Sequence, residues 1–111
     1  MNILKPQKKT FNNLRKIEDL NNELQENYEL NNILIENYKE QNIEFTDIQL
    51  EKAILNNVEI INGNLQNNMF VDIEFNNCNF SNTSFENSSF IRCEFKNCKL
   101  TGCNFSESRI Y

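Results

Sequence analysis

The stretch FTDIQLEKAILNNVEIINGNLQNNMFVDIEFNNCNFSNTSFENSSFIRCEFKNCKLTGCNFSESRI, residues 45 to 110, decides how this chain folds. It places an apolar residue at every fifth position: Phe45, Leu50, Leu55, Ile60, Leu65, Phe70, Phe75, Phe80, Phe85, Phe90, Phe95, Leu100, Phe105 and Ile110. Phe, Leu and Ile make up 31 of the 111 residues, so fourteen successive hits in one register have a chance probability of roughly 10⁻⁸. A period of five suits neither an α-helix nor a simple strand. A closed unit must repeat instead.

A second series lies two residues before each centre: Ile43, Ile48, Ala53, Val58, Gly63, Asn68, Ile73, Cys78, Thr83, Ser88, Cys93, Cys98, Cys103 and Ser108. From Cys78 onward these residues are all small. Alternation along an extended backbone turns both series to one side and leaves three places per repeat to face outward and turn the chain. Each unit is then a short side plus a corner.

This pattern resembles the pentapeptide-repeat family, whose unit is a small residue, Asp or Asn, then Leu or Phe, then two variable residues. Cys78-Asn79-Phe80-Ser81-Asn82 and Cys103-Asn104-Phe105-Ser106-Glu107 fit it closely, and the resemblance covers residues 43 to 111. Departures are Glu at the Asp/Asn place (Glu44, Glu59, Glu74, Glu94), large residues at the small place in early repeats, and Asn68, which puts a polar group inside. The resemblance implies an all-β solenoid, a right-handed quadrilateral β-helix with four repeats per coil. Residues twenty apart should stack, and fourteen repeats from residue 43 make about 3.5 coils.

Folded modulo twenty, the centres give four interior columns: Phe45/Leu65/Phe85/Phe105, Leu50/Phe70/Phe90/Ile110, Leu55/Phe75/Phe95 and Ile60/Phe80/Leu100. Adjacent coils one strand spacing apart, about 4.8 Å, would let the rings stack. The structural core is therefore assigned to Phe70, Phe75, Phe80, Phe85, Phe90, Phe95, Leu100 and Phe105. At the corners, Asn57/Asn77/Asn97, Asn62/Asn82 and Asn67/Asn87 also align. Asn tolerates left-handed backbone and stacked amides bond one another, so a chain with two glycines can still turn often.

Residues 1 to 16 carry Lys5, Lys8, Lys9, Arg15 and Lys16 and no acid, whereas 17 to 42 carry seven acids against Lys39. The basic segment, with residues 1 to 9 as a tail, reads as solvated or as the approach to a helix rather than a nucleic-acid or membrane contact. Thr10 is a helix N-cap candidate, after which Leu14, Ile17, Leu20, Leu24 and Tyr28 recur at helical spacing. Residues 10 to 42 are thus expected to form a helical cap or dimerisation segment, with the solenoid proper beginning near Ile43. Leu30, Ile33 and Ile35 echo the five-residue period, but Glu40 would occupy a centre and breaks the echo.

No run is long enough to span a bilayer, and the opening Met1-Asn2-Ile3-Leu4-Lys5-Pro6 lacks the apolar segment of a secretion signal. The reading is cytoplasmic, with the four cysteines reduced and no disulfide between Cys78 and Cys98, which should be neighbours. There is no His, and with only Gly63 and Gly102 there is no phosphate-cradling loop. Cys93, Cys98 and Cys103 are not spaced as zinc pairs and would point into a core already filled by Phe. Glu74 and Glu94 stack, but as a solvated pair without a pocket. No catalytic residue, metal or cofactor is expected.

A solenoid has two open ends, each exposing unpaired strand edges. The helical segment would cap the first. No equivalent serves the second, where the sequence stops at Ser108-Arg109-Ile110-Tyr111, so either the protein dimerises there or the chain is a fragment. Outward positions Val71, Ile91 and Tyr111 align with Met69 beside them, and with Ile110 they form the candidate interface, to be covered by a helix or another chain. The expected function is a non-enzymatic interaction or structural module with an unidentified protein partner, homodimerising through the uncapped coil or apolar face, with no direct contact to nucleic acid or membrane.

The resemblance offers an alternative, because the family's quinolone-resistance members are DNA mimics that bind type II topoisomerases, DNA gyrase and topoisomerase IV. Against it, residues 43 to 111 carry nine scattered acids and five bases. Their length of roughly 17 Å matches only about five base pairs.

Overall fold

The computed structural model describes residues 11 to 111. Short parallel strands stack coil upon coil around one apolar axis, forming a right-handed quadrilateral β-helix of about 5 turns. The longest path of stacked strands runs β1 (Arg15–Ile17), β2 (Glu29–Glu36), β4 (Gln49–Asn56), β6 (Met69–Asn76), β7 (Ser89–Ile91) and β9 (Arg109–Ile110), with β8 (Glu94–Lys96) also on β6. On another side β3 (Lys39–Gln41) pairs with β5 (Glu59–Ile61). From β2 onward the register is twenty residues: Leu30 lies beside Leu50, Leu50 beside Phe70, and Phe70 beside Phe90.

Each side of the tube is held by the chain's own backbone amides, and each corner by a left-handed residue two places after the centre. Asn37, Asn42, Asn57, Asn62, Asn67, Asn77, Asn82, Asn87 and Asn97 all have φ between 52° and 57° or at 59°. Asn pays less for this conformation than other side chains do. Stacked amides add hydrogen bonds: Asn57 Nδ2 donates to Asn37 Oδ1 at 2.7 Å, and Asn87 Nδ2 to Asn67 Oδ1 at 2.6 Å. Five other corners are Asp47, Lys52, Asp72, Arg92 and Glu107, so neighbouring coils can impose the conformation on residues with no preference for it. Gly102 takes the same corner at φ +75, where an added Cβ would meet Asn82 Oδ1 and the Asn82 side chain would have to turn aside.

The interior columns are as the period requires. Phe75 and Phe95 stack at 4.4 Å between ring centres, Phe70 and Phe90 at 5.0 Å, and Phe85 and Phe105 at 5.3 Å. Around the axis, Phe75, Phe80 and Phe85 meet edge to face, so Phe75 and Phe85 each have stacked and T-shaped neighbours at once.

The small interior residues do more than make room. Thr83 Oγ1, Ser88 Oγ and Ser108 Oγ donate to the carbonyls of Ile60, Leu65 and Phe85, each twenty-three residues back, at 2.8 to 2.9 Å. Cys78, Cys93, Cys98 and Cys103 direct their thiols to the equivalent carbonyls of Leu55, Phe70, Phe75 and Phe80. Asn68 is buried at no cost in unpaired groups: its Oδ1 accepts from Ile48 N, and its Nδ2 donates to the carbonyls of Phe45 and Leu65.

The N-terminal third differs from the expected helix over 10 to 42. The helix α1 is Leu20–Glu26, seven residues, capped by Asp19, whose side chain accepts from Asn22 N at 3.3 Å. Thr10 lies outside the described residues. Ile17, assigned to the helical face, sits in β1, and β2 and β3 continue the solenoid back through residues 29 to 41, giving about 5 turns rather than 3.5. Glu40 does occupy a centre position, opposite Ile60, and the coil survives because that centre lies half-buried near the end of the tube. The first coil is shortened, Ile17 pairing with Ile35 at an offset of eighteen, and α1 spans the gap with Leu20 in the core and Leu24 packed against it. Among the described residues no helix is long and apolar enough to cross a membrane.

Truncating a mid-column ring should cost far more than altering a corner. Phe75→Ala or Phe80→Ala is expected to lower the unfolding free energy by about 3 to 5 kcal/mol, and Asn57→Ser by about 1 kcal/mol or less, as measured by denaturant titration followed by circular dichroism.

Candidate functional site: the open mouth and the face beside it

The coil from Phe95 to Ile110 is the highest of the described residues. Its centres Phe95, Leu100 and Phe105 are half-buried and Ile110 is 44% exposed, whereas Phe75, Phe80, Phe85 and Phe90 one coil below are fully enclosed. With Phe90, Cys93 and Glu94 they line an apolar concavity of about 420 Å³. The centre N–H groups of Phe80 and Phe85, one coil below, bond the carbonyls of Lys99 and Asn104 in this coil.

The rim is charged and polar. Glu94 and Lys96 flank Phe95, Lys99 precedes Leu100, and Arg109 precedes Ile110, with Tyr111 following at 52% exposure. Glu74 and Glu94 stack as expected, but Lys96 Nζ sits between them, 3.6 Å from Glu74 and 3.8 Å from Glu94. The like charges are therefore bridged rather than merely solvated. At the next corner Arg92 clamps Asp72 through two bonds, Nε to Oδ1 at 2.7 Å and Nη2 to Oδ2 at 2.9 Å. This planar bidentate pair replaces the amide ladder used at the Asn corners.

The outward apolar face is less continuous than the sequence suggests. Met69 is 41% exposed, and Ile91 is half-buried, but Val71 is only 8% exposed, flanked in register by Glu51 and Ile91. Val71 therefore presents no surface to a partner. α1 turns Leu20 and Leu24 toward the core rather than covering this face. Of the candidate interface residues, Ile110 and Tyr111 join the mouth, while Met69 lies apart in a shallow groove with Tyr28, Gln49 and Ser89.

All four cysteines are free thiols. Burial pushes Cys78 and Cys93 from the ordinary 9.0 up to about 12, and it raises Cys103 as well. Burial, followed by the charges of Glu40 and Asp19, likewise lifts the Tyr38 phenol to about 12. Among the described residues no group of three or more His, Cys, Asp or Glu is placed to hold a metal.

An apolar square tube with left-handed corners and twenty-residue coils defines a class of repeat proteins, the quadrilateral β-helices. Residues 70–106 match the family described as Pentapeptide repeats, in 8 copies. The resemblance to pentapeptide repeats is thus shown for these residues. No curated protein matches it. Similar solved structures include trypsin-treated QnrB1, a plasmid-mediated fluoroquinolone resistance protein, 24% identical over 68% of this chain and 38% of that one, with a TM-score of 0.47. A second trypsin-treated form of QnrB1 is 19% identical over 72% of this chain and 48% of that one, with a TM-score of 0.37. The pentapeptide repeat protein Rfr23 from the cyanobacterium Cyanothece 51142 is 17% identical over 75% of this chain and 64% of that one, with a TM-score of 0.42. The chain thus spans between 38% and 64% of the length of these structures.

The buried thiols set an alkaline limit on stability. Their folded pKa lies above the unfolded value, so their contribution is complete below about pH 9 and is lost as pH climbs toward 12. Melting temperature should stay level to about pH 9 and then fall, and Cys78→Ser with Cys93→Ser should flatten that fall. At pH 8, iodoacetamide should modify Cys98 well before Cys78 and Cys93, as read by peptide mass spectrometry.

Proposed function

We propose that this chain is a non-enzymatic interaction module of the cytoplasm that pairs with a second copy of itself through the open mouth of its last coil. The observation that carries this reading is the contrast within single columns: Phe75 and Phe85 are sealed, while Phe95 and Phe105 directly above them are partly open to solvent. Burying those rings, together with Leu100 and Ile110, releases water from apolar surface. It would also offer the backbone edge of that coil a partner edge. Tyr111 and Ile110 would be covered in the same contact, leaving Met69 outside it.

Mimicry of DNA toward a type II topoisomerase is the weaker reading. It requires a row of acids along the tube, and the outward columns do not supply one: Lys39/Glu59/Asn79/Lys99 and Glu44/Asn64/Ser84/Asn104 alternate in character, and Glu74 and Glu94 share Lys96.

Light scattering coupled to size exclusion should give twice the chain mass of 13.2 kDa. Leu100→Asp should return it to the monomer without lowering strand content, since that side chain is already half-exposed. A monomer at all concentrations would overturn the proposal. In a supercoiling assay with gyrase, with and without quinolone, no effect is expected, and protection of the enzyme would instead favour mimicry.

A further inference from the structure

The shallow groove that holds Met69 runs along the tube. One wall is the corner column Asp47, Asn67 and Asn87, all left-handed, and the other is the strand column Glu29, Gln49, Met69 and Ser89, paired in register. The hollow between them measures about 430 Å³, a size that suits a small-molecule or short-chain ligand. Its floor is rigid. The buried Asn68 uses both ends of its amide on backbone, Oδ1 on Ile48 N and Nδ2 on the carbonyls of Phe45 and Leu65. In the strand wall, Met69 N and Ser89 N donate to the carbonyls of Ile48 and Asn68 in the coil below.

The walls offer hydrogen-bonding groups without a positive charge. Asn87 Nδ2 donates to Asn67 Oδ1 at 2.6 Å, which leaves the donors of Asn67 and the acceptor of Asn87 for a ligand. Among the described residues, the side chains of Asp47, Gln49 and Ser89 make no hydrogen bond. No Lys or Arg lines the hollow, so a phosphate or other polyanion finds no counter-charge there. At the N-terminal end of the groove stands Tyr28, 75% exposed. Its backbone is held on both sides: Asn27 caps α1 through Glu23 O, and Gln49 N donates to Tyr28 O at 2.8 Å. The apolar surfaces are thus a fixed ring at one end and the Met69 side chain, 41% exposed, further along. Amides and hydroxyls interspersed with such surfaces suit a sugar chain, in which each pyranose has an apolar C–H face and a rim of hydroxyls.

The period supplies the last constraint. Equivalent groups in successive coils lie about 4.8 Å apart, close to the advance of one pyranose along an extended β-1,4-linked chain and unlike the roughly 3.3 Å per residue of an extended peptide. We propose that this groove binds a linear, neutral β-1,4-linked oligosaccharide lying parallel to the tube axis. Tyr28 stacks on the C–H face of one sugar, and Gln49, Asn67, Asn87 and Ser89 bond the hydroxyls of the sugars that follow. The site lies apart from the mouth and does not rest on the pairing proposed above.

The test is a titration of the ¹⁵N-labelled full chain with cellohexaose, mannohexaose and xylohexaose, read by amide chemical shifts. At least one of them should move the signals of Gln49, Asn67, Met69 and Asn87 saturably, and the corresponding disaccharide should bind at least about tenfold more weakly, because it reaches fewer rungs of the groove. Tyr28→Ala should weaken the hexaose by at least about tenfold and Tyr28→Phe by less than about threefold, since the ring rather than its hydroxyl makes the stack. The shift map needs no variant, so it decides the matter should Tyr28→Ala fail to fold. No saturable shift with any of the three hexaoses, shifts confined to residues outside the groove, or an affinity indifferent to Tyr28→Ala would overturn the proposal. Hexalysine is the contrasting probe: its binding in the groove in place of the sugars, weakening with salt, would also overturn it and assign Glu29 and Asp47 a cationic ligand instead.

Discussion

Everything in this protein depends on a match between two lengths. Parallel strands stack about 4.8 Å apart, and aromatic rings in an offset stack prefer nearly the same separation. The rings of Phe75 and Phe95, at 4.4 Å and 4° between planes, satisfy both demands with one geometry. Backbone hydrogen bonds between coils and side-chain contacts along the axis therefore reinforce each other residue by residue. The buried thiols and hydroxyls belong to the same scheme, because each donates to a carbonyl of the coil below.

The same stacking makes the two ends of the tube unlike one another. At the first end the chain breaks register, shortens a coil by two residues, and uses α1 to lay Leu20 across the opening. At the second end the register runs unbroken to Ile110, which lies beside Phe90.

Where sequence reading misplaced an element, competing contacts explain it. Leu14, Ile17, Leu20, Leu24 and Tyr28 do have helical spacing, yet Ile17 gains a parallel strand partner in Ile35 and Tyr28 lies largely in solvent, so only the middle of the pattern is helix. Glu40 hides about one and a half further coils from a count of apolar centres because one acid at a half-buried position near the tube's end is tolerated, whereas the same residue at Phe80 would not be. Val71 looks outward by alternation but is covered by its neighbours. Asp72 and Arg92 read as ordinary surface charges until the twenty-residue register brings them into a bidentate pair.

The amino-acid sequence by itself determined the period, the columns and most of the corners, because those depend on spacing along one chain and on the backbone preferences of Asn. It determined equally that Phe95 and Phe105 would lie directly above Phe75 and Phe85. Only the tertiary structure decided which carbonyl each thiol meets, which carboxylate each base holds, how far toward the N-terminus the tube extends, and which rings are left open. Those outcomes are contacts between residues about twenty positions apart, and whether such a contact forms depends on what lies in the coil above and the coil below.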